Sequence, residues 1–296
     1  MAKTIVVTGS QGFIGSEVVR QLQGAGHMVI GIDLVNPAEA PPYEFHVADF
    51  RLPSVADVTP EGADAIIHLA ALSSDTMCKN KPYECFDVNV MGTLNLMHVA
   101  TEKKVKQFIF ASSEWVYEKF VSDEEKDEDA VIDIAGHTSE YALSKLVSEA
   151  NLRIQHKNGF CDATILRFGI IYGPRKVNWS AVESVMSQVK NQSEVSIGSL
   201  KTGRRFVHLS DIGRGIVRAI GLQGFHILNL SGDRLITLEE VIRESEKLFG
   251  KRVKVIEKNP SEISVRNPLN TKAKKLIGWV PKVDIVSGLK TLLPFV

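Results

Sequence analysis

The 296-residue chain carries 35 Lys+Arg against 35 Asp+Glu, so its formal net charge is zero, and 44% of its residues are hydrophobic. Those proportions exclude disordered, collagen-like and disulfide-scaffold classes and give no global attraction for nucleic acid. No apolar run approaches the roughly 18 residues of a bilayer span, so no membrane partner is expected.

The opening residues MAKTIVVTGS lack the apolar core of a secretory leader. Cys78, Cys85 and Cys161 are too few and too scattered for a disulfide framework. They read as reduced thiols of a cytoplasmic protein. At about 150 residues per domain, the length suggests two domains or one large domain with an appended lobe.

In chain order, KTIVVT at 3–8 is a short β-branched run that predicts a fully buried strand. Glycines follow at 9, 12 and 15 in TGSQGFIG. Val18, Val19 and Leu22 then recur at helical spacing, and Gly24 and Gly26 close that helix. MVIGIDL gives a second buried strand ending at Asp33, which lies 18 residues beyond Gly15. Strand, glycine turn, helix, strand and acid are the parts of a dinucleotide-binding βαβ unit. Gly9 permits the tight turn, Gly12 lets the backbone approach a pyrophosphate at the helix N-terminus, and Gly15 allows close helix–strand packing. A carboxylate at Asp33 accepts ribose hydroxyls and repels a 2′-phosphate, which favours NAD over NADP.

Beyond this unit, AIIHLAA at 65–71, FIFA at 108–111 and ATILRF at 163–168 predict further buried strands. LNLMHVATEKK and a long segment from about Ser139 to His156 predict helices between them. The alternation implies a doubly wound parallel α/β sheet. After Pro174 the pattern loosens into a helix around 180–191, the segment GRRFVHLSDIGRGIVRAI, a short strand HILNL and a helix opening at Thr237, where Thr237 and Glu240 have capping-box spacing. The expected division is 1–168 for the nucleotide-binding domain, with a return segment near 205–222, and 169–296 for a smaller mixed α/β substrate lobe. The acidic run SDEEKDEDA at 122–130 has no histidine and no ligand-like period, so it reads as a solvated loop and no metal site is expected.

EYALSKL places Tyr141 and Lys145 four residues apart, on one face of a predicted helix. An ammonium beside a phenol favours the phenolate and makes the pair a general base near neutral pH. Such a pair also occurs by chance on surface helices; here it follows a nucleotide-binding unit and a Ser–Ser pair after the FIFA strand.

With these motifs in place, the chain resembles the extended short-chain dehydrogenase/reductase superfamily, in particular its NAD-dependent epimerase/dehydratase branch, which modifies nucleotide-sugars. The resemblance runs through TGSQGFIG, Asp33, VADFRL with Asp49, HLAA at 68–71, FDVNVMGTLNLM with Asn89, FASSEWVY, YALSK, LRFGIIYGPR, RRFVHLSDIGRGI and KAKKLIGWVPK. It implies a Rossmann fold with bound NAD. It also implies Tyr141 as catalytic base, Lys145 as the lysine that also holds the nicotinamide ribose, and Ser113, beside Ser112, as the hydroxyl that bonds the reacting oxygen. Cofactor contacts would come from Gly9, Gln11, Gly12, Phe13, Ile14, Gly15, Asp33, Leu69, Ala70, Ala71 and Phe168. Asp49 and Phe50 match the adenine contact, and Asn89 the asparagine that braces the sheet. Arg204 and Arg266 match the arginines that bind a substrate diphosphate, for which a planar fork is suited; surface arginines are the alternative. Relatives pair as homodimers through the helix near 93–103; Leu94, Leu96, Met97 and Val99 suit that interface and equally suit a core.

Three departures bear on the activity. The acid pair that follows the catalytic hydroxyl in 4,6-dehydratases is replaced by Glu114 and Trp115, which disfavours dehydration and leaves Glu114 as one extra acid or base. The asparagine before YGP is Ile170, and the glycine after VY is Glu118. Asn178 and Trp179, just past YGPR, are candidates for the sugar site, with lobe packing the alternative for Trp179. The resemblance thus implies a nucleotide-sugar epimerase of the 4-epimerase type working through a transient keto-sugar. A sugar dehydrogenase or 4-ketoreductase with net redox is the alternative, and a catalytically silent NAD-binding protein a third.

Overall fold

The computed structural model describes residues 1–121 and 124–296. In chain order the first half contains β1 (Thr4–Thr8), α1 (Phe13–Gly24), β2 (Met28–Asp33), β3 (Glu44–Val47), β4 (Ala65–His68), α2 (Asp75–Cys78), α3 (Pro82–Phe86), α4 (Gly92–Glu102), β5 (Gln107–Ser113), α5 (Glu140–Lys157) and β6 (Asp162–Phe168). The second half adds β7 (Ile171–Tyr172), α6 (Ala181–Asn191), β8 (Glu194–Ile197), β9 (Gly203–Arg204), β10 (Val207–His208), α7 (Leu209–Arg218), β11 (Phe225–Leu230), β12 (Ile236–Thr237), α8 (Leu238–Phe249), β13 (Lys254–Glu257), β14 (Val265–Arg266), α9 (Thr271–Ile277) and α10 (Ile285–Leu292).

Seven strands join in the order β11-β6-β5-β4-β1-β2-β3. β1 pairs in parallel with both β2 and β4, β2 with β3, and β4 with β5. The order reverses direction at β1 and β4, and ligands of open α/β sheets bind beyond the carboxyl ends of the strands at such a reversal. Ile5, Val6 and Val7 are fully buried, as a central strand covered on both faces requires. α1 buries Gly15, Val18, Val19 and Leu22, a stripe of helical period. β3 carries no such apolar signature: Glu44 and Val47 are exposed, and it is an edge strand held by its ladder to β2.

Contacts divide the chain into two compact units. One comprises Met1–Glu118, Val131–Arg167 and Gly213–Leu228; the other comprises Lys119–Ala130, Phe168–Ile212 and Asn229–Val296. The first has a core around Val6, Ile66, Leu96, Phe108, Leu152 and Ile165. Leu96, Met97 and Val99 all lie in that core and Leu94 packs against it, so these four side chains belong to the interior and do not form an exposed apolar face. The second unit has its own core around Tyr172, Met186, Phe206, Val241 and Leu289, against which Ile170 packs. There Asp211, fully buried, accepts the backbone N–H groups of Lys282 and Val283, and its carbonyl accepts the Trp279 indole N–H at 2.8 Å. The RRFVHLSD and GWVPK motifs therefore meet in one clamp.

Two local expectations change. Thr237 does cap α8 by accepting the Glu240 N–H, but the Glu240 carboxylate turns to Arg234. The reciprocal capping box forms instead at Ser180 and Glu183, at the start of α6. Ser122 and Asp123 of the acidic run lie outside the described residues; the remainder is docked, not simply solvated. Glu125 pairs with the buried Arg205 at 2.8 Å, Glu128 accepts the Asn229 N–H at 2.6 Å, and Lys126 exchanges backbone bonds with Asn267 and Leu269. No helix among the described residues is long and apolar enough to cross a membrane.

In the first unit, the buried Glu149 of α5 accepts two bonds from Arg167 of β6 and one from Ser112 of β5. Truncating one member of a buried pair strands the other charge. Glu149→Ala is therefore expected to destabilise the protein by about 3–5 kcal/mol in urea unfolding, and adding Arg167→Met is expected to recover much of that loss.

Candidate active site

The glycine turn is closed by its own backbone. Gly9 N–H donates to the Ile32 carbonyl at 2.8 Å and Gly12 N–H to the Gly9 carbonyl at 3.0 Å. Gly9 has φ +72°, and a Cβ on it would lie 2.8 Å from the Ala70 nitrogen. A Cβ on Gly15 would come within 1.9 Å of the Gly9 carbonyl oxygen. Only glycine fits at either position. Gly12 caps α1 without a side-chain bond, so Phe13 and Ile14 open a helix whose positive end is not covered by a capping side chain.

Asp33, at the end of β2, accepts the Gln11 N–H at 2.9 Å and the Val35 N–H at 3.1 Å. The same carboxylate thus holds the glycine turn and stands at the strand end where a ribose would lie. Leu69 and Ala70 continue β4 by bonding to the Thr8 carbonyl and hydroxyl, and Ala71 follows them. These features fit a dinucleotide: a cradle that a Cβ would fill, and an acid beside it.

The two residues matched to the adenine contact are placed differently. Asp49 is engaged by the Arg51 guanidinium at 2.6–3.0 Å, which holds its carboxyl below the usual range. Phe50 is buried, edge-on to His68 at 4.9 Å. Asn89 sits in a π-helical turn, Asp87–Met91, a rare element often found at functional sites. Its side chain bonds both the N–H and the carbonyl of Leu72 and donates to the Ser144 hydroxyl of α5, bracing the segment after β4 against that helix.

Ser113 ends β5 and Tyr141 lies in the first turn of α5, whose N-cap is Ser139. The Ser113 hydroxyl lies near enough to the Tyr141 phenol to act on its ionisation, and it accepts the Trp115 N–H at 3.3 Å. Lys145 lies one turn further along α5, its Nζ 4.8 Å from the Phe110 ring centre and 6.0 Å from that of Tyr141. Glu114, beside Ser113, is fully buried.

Burial pushes the Tyr141 phenol up to about 12, against the lowering effect of the Ser113 hydroxyl. Burial also pushes the Lys145 ammonium down to about 8, with Cys78, Cys85 and Glu149 acting to raise it. The protein alone therefore holds a protonated phenol beside a lysine poised to lose its charge.

Glu118, where the resembled motif has glycine, takes a φ of +54°, a backbone conformation that glycine adopts without cost. Here its carboxylate accepts the Thr138 hydroxyl at 2.9 Å and lies 3.2 Å from His137 Nδ1, interactions that offset the strained backbone. In the second unit, Arg204 and Arg266 are paired in register on β9 and β14. Arg204 also donates to the Ser264 carbonyl and hydroxyl. Phe168 is buried, while Asn178 and Trp179 are exposed in the bend before α6, the indole N–H of Trp179 bonded to the Arg175 carbonyl. Sequence reasoning missed Arg205, where the resembled motif has aspartate; two arginines in a row before FVH were the available signal.

Comparison with known proteins agrees with this construction. The profile of the NAD dependent epimerase/dehydratase family matches residues 5–230. UDP-glucuronate 4-epimerase of Thermodesulfobacterium geofontis is 28% identical over 96% of this chain and 93% of its own length. UDP-glucuronic acid decarboxylase 4 of Arabidopsis thaliana is 27% identical over 98% of this chain and 67% of its own. Among solved structures, UDP-glucose-4-epimerase of Stenotrophomonas maltophila, with bound NAD and formylated UDP-arabinopyranose, superposes with a TM-score of 0.89 at 23% identity, covering 99% and 97% of the two chains. With the glycine cradle, the strand order and the serine–tyrosine–lysine cluster in one architecture, the chain belongs to the NAD dependent epimerase/dehydratase family.

Proposed function

We propose that this chain is an NAD-dependent 4-epimerase of UDP-linked sugars. The observation that carries the reading is the buried Ser113–Tyr141 pair, in which the serine acts to lower the phenol, with Lys145 on the next turn of α5 and Ser113 at the carboxyl end of β5. The 4-epimerase and decarboxylase relatives, both acting on UDP-glucuronate by name, support the nucleotide-sugar class.

The chemistry that NAD supplies when bound is reversible hydride acceptance. Tyr141 takes the proton from the sugar hydroxyl as that carbon is oxidised and returns it when the carbon is reduced. Ser113 donates to the oxygen as it becomes a ketone. Lys145, while charged, favours the phenolate and lowers the cost of that proton transfer. Epimerisation needs the keto-sugar to present its other face before reduction, so oxidation and reduction cancel. Glu114 is the proposed single additional acid or base, and the absence of a second carboxylate after it disfavours dehydration. Arg204 and Arg266 are the proposed diphosphate contacts, and Asn178 and Trp179 the proposed sugar-side residues. A cytoplasmic homodimer is the accompanying expectation; a sedimentation mass equal to one chain would exclude the dimer.

The test is incubation of the NAD-loaded protein with UDP-glucose and, separately, UDP-glucuronate. Formation of the C4 epimer with no net change in nicotinamide absorbance supports the reading, and stoichiometric NADH would assign a dehydrogenase instead. Tyr141→Phe is expected to lower kcat by about 10²–10⁴-fold while NAD is retained. Lys145 titrates at about 8 and is charged below that pH. The kcat/KM profile is therefore expected to fall as pH rises past 8, and Lys145→Arg, which stays charged, is expected to move that descending limb upward.

A further inference from the structure

Beside Tyr141 the protein builds a wall of two thiols and three large hydrophobic side chains. Cys78 of α2, Cys85 of α3 and Tyr141 of α5 form a buried cluster, and Leu72, Phe86 and Trp115 pack against it. The two thiols are fully buried, whereas Leu72, Phe86 and Trp115 remain partly open to solvent. Trp115 is the largest of them, and its main chain is tied to Ser113. Its backbone N–H donates to Ser113 Oγ at 3.3 Å. Two residues after the serine, the indole packs, half-buried, against the cluster that contains the phenol.

A pyranose ring presents hydroxyls at its rim and C–H groups on its faces. A flat indole offers the C–H face a large contact without directional bonds. An enzyme that must receive the same keto-sugar on either face gains from such a surface, because directional hydrogen bonds there would hold one face and resist the other.

We propose that Trp115 is the platform on which the sugar ring of the substrate lies, and that it selects pyranoses with an unbroken C–H face next to the reacting carbon. This rests on the nucleotide-sugar reading above.

The test compares wild type, Trp115→Phe and Trp115→Ala, each loaded with NAD, using UDP-glucose as substrate and UDP as a sugar-free inhibitor. Trp115→Ala is expected to raise KM for UDP-glucose about tenfold while the inhibition constant of UDP changes less than about twofold; Trp115→Phe restores most of the loss. In wild type, UDP-glucose but not UDP is expected to perturb tryptophan fluorescence, and Trp115→Phe is expected to abolish that change. If Trp115→Ala does not fold, the fluorescence comparison with Trp115→Phe decides. Equal weakening of UDP and UDP-glucose, an unchanged KM in Trp115→Ala, or a fluorescence change that survives Trp115→Phe would overturn the proposal. Binding of UDP-glucose with that fluorescence signature but without turnover would overturn the epimerase reading and leave the platform standing.

Discussion

The carboxylate of Glu149 is the point from which the candidate site is held. It is buried on α5, one turn beyond Lys145, and it bonds Arg167 of β6 and Ser112 of β5 together. Arg167 in turn lies 4.8 Å over the ring of Tyr117, the residue that ends the turn following Ser113. A charge in that position is tolerated only because its acceptor sites are filled by a guanidinium and a hydroxyl. The consequence is geometric. The helix that carries Tyr141 and Lys145 cannot slide along the strand that carries Ser112 and Ser113 without breaking bonds in the interior.

Much of this architecture is legible in the residues because it is local. The glycines at 9, 12 and 15, the apolar stripe of α1 and the buried run of β1 each follow from backbone geometry or hydrophobic period, and the structure shows the close approaches that demand them. The phenol and ammonium on one face of α5 follow from helical spacing. What was not legible is set by tertiary partners. β3 has no apolar alternation and exists because β2 offers it an edge. The acidic run is anchored by Arg205, a residue eighty positions away in sequence from its partner Glu125. Glu240 has the spacing of a capping box but finds a stronger partner in Arg234.

The electrostatics differ from the simplest reading in an instructive way. A tyrosine beside a lysine suggests a ready phenolate, yet burial raises the phenol and lowers the ammonium together. Each group alone moves toward its neutral form, as desolvation requires. In the protein alone the phenol is therefore held protonated, and the lysine one turn away keeps its charge only below about 8.

Asp33 bears on how such a protein could change its cofactor. Its carboxylate stands where the adenosine ribose is expected, and its Oδ2 also accepts the Gln11 N–H of the glycine turn. Replacing it to admit a phosphorylated ribose removes a brace from the turn that must receive the pyrophosphate. Preference between the two dinucleotides is therefore mechanically tied to loop shape, and a redesign aimed at it has to rebuild the anchoring of Gln11 along with the charge.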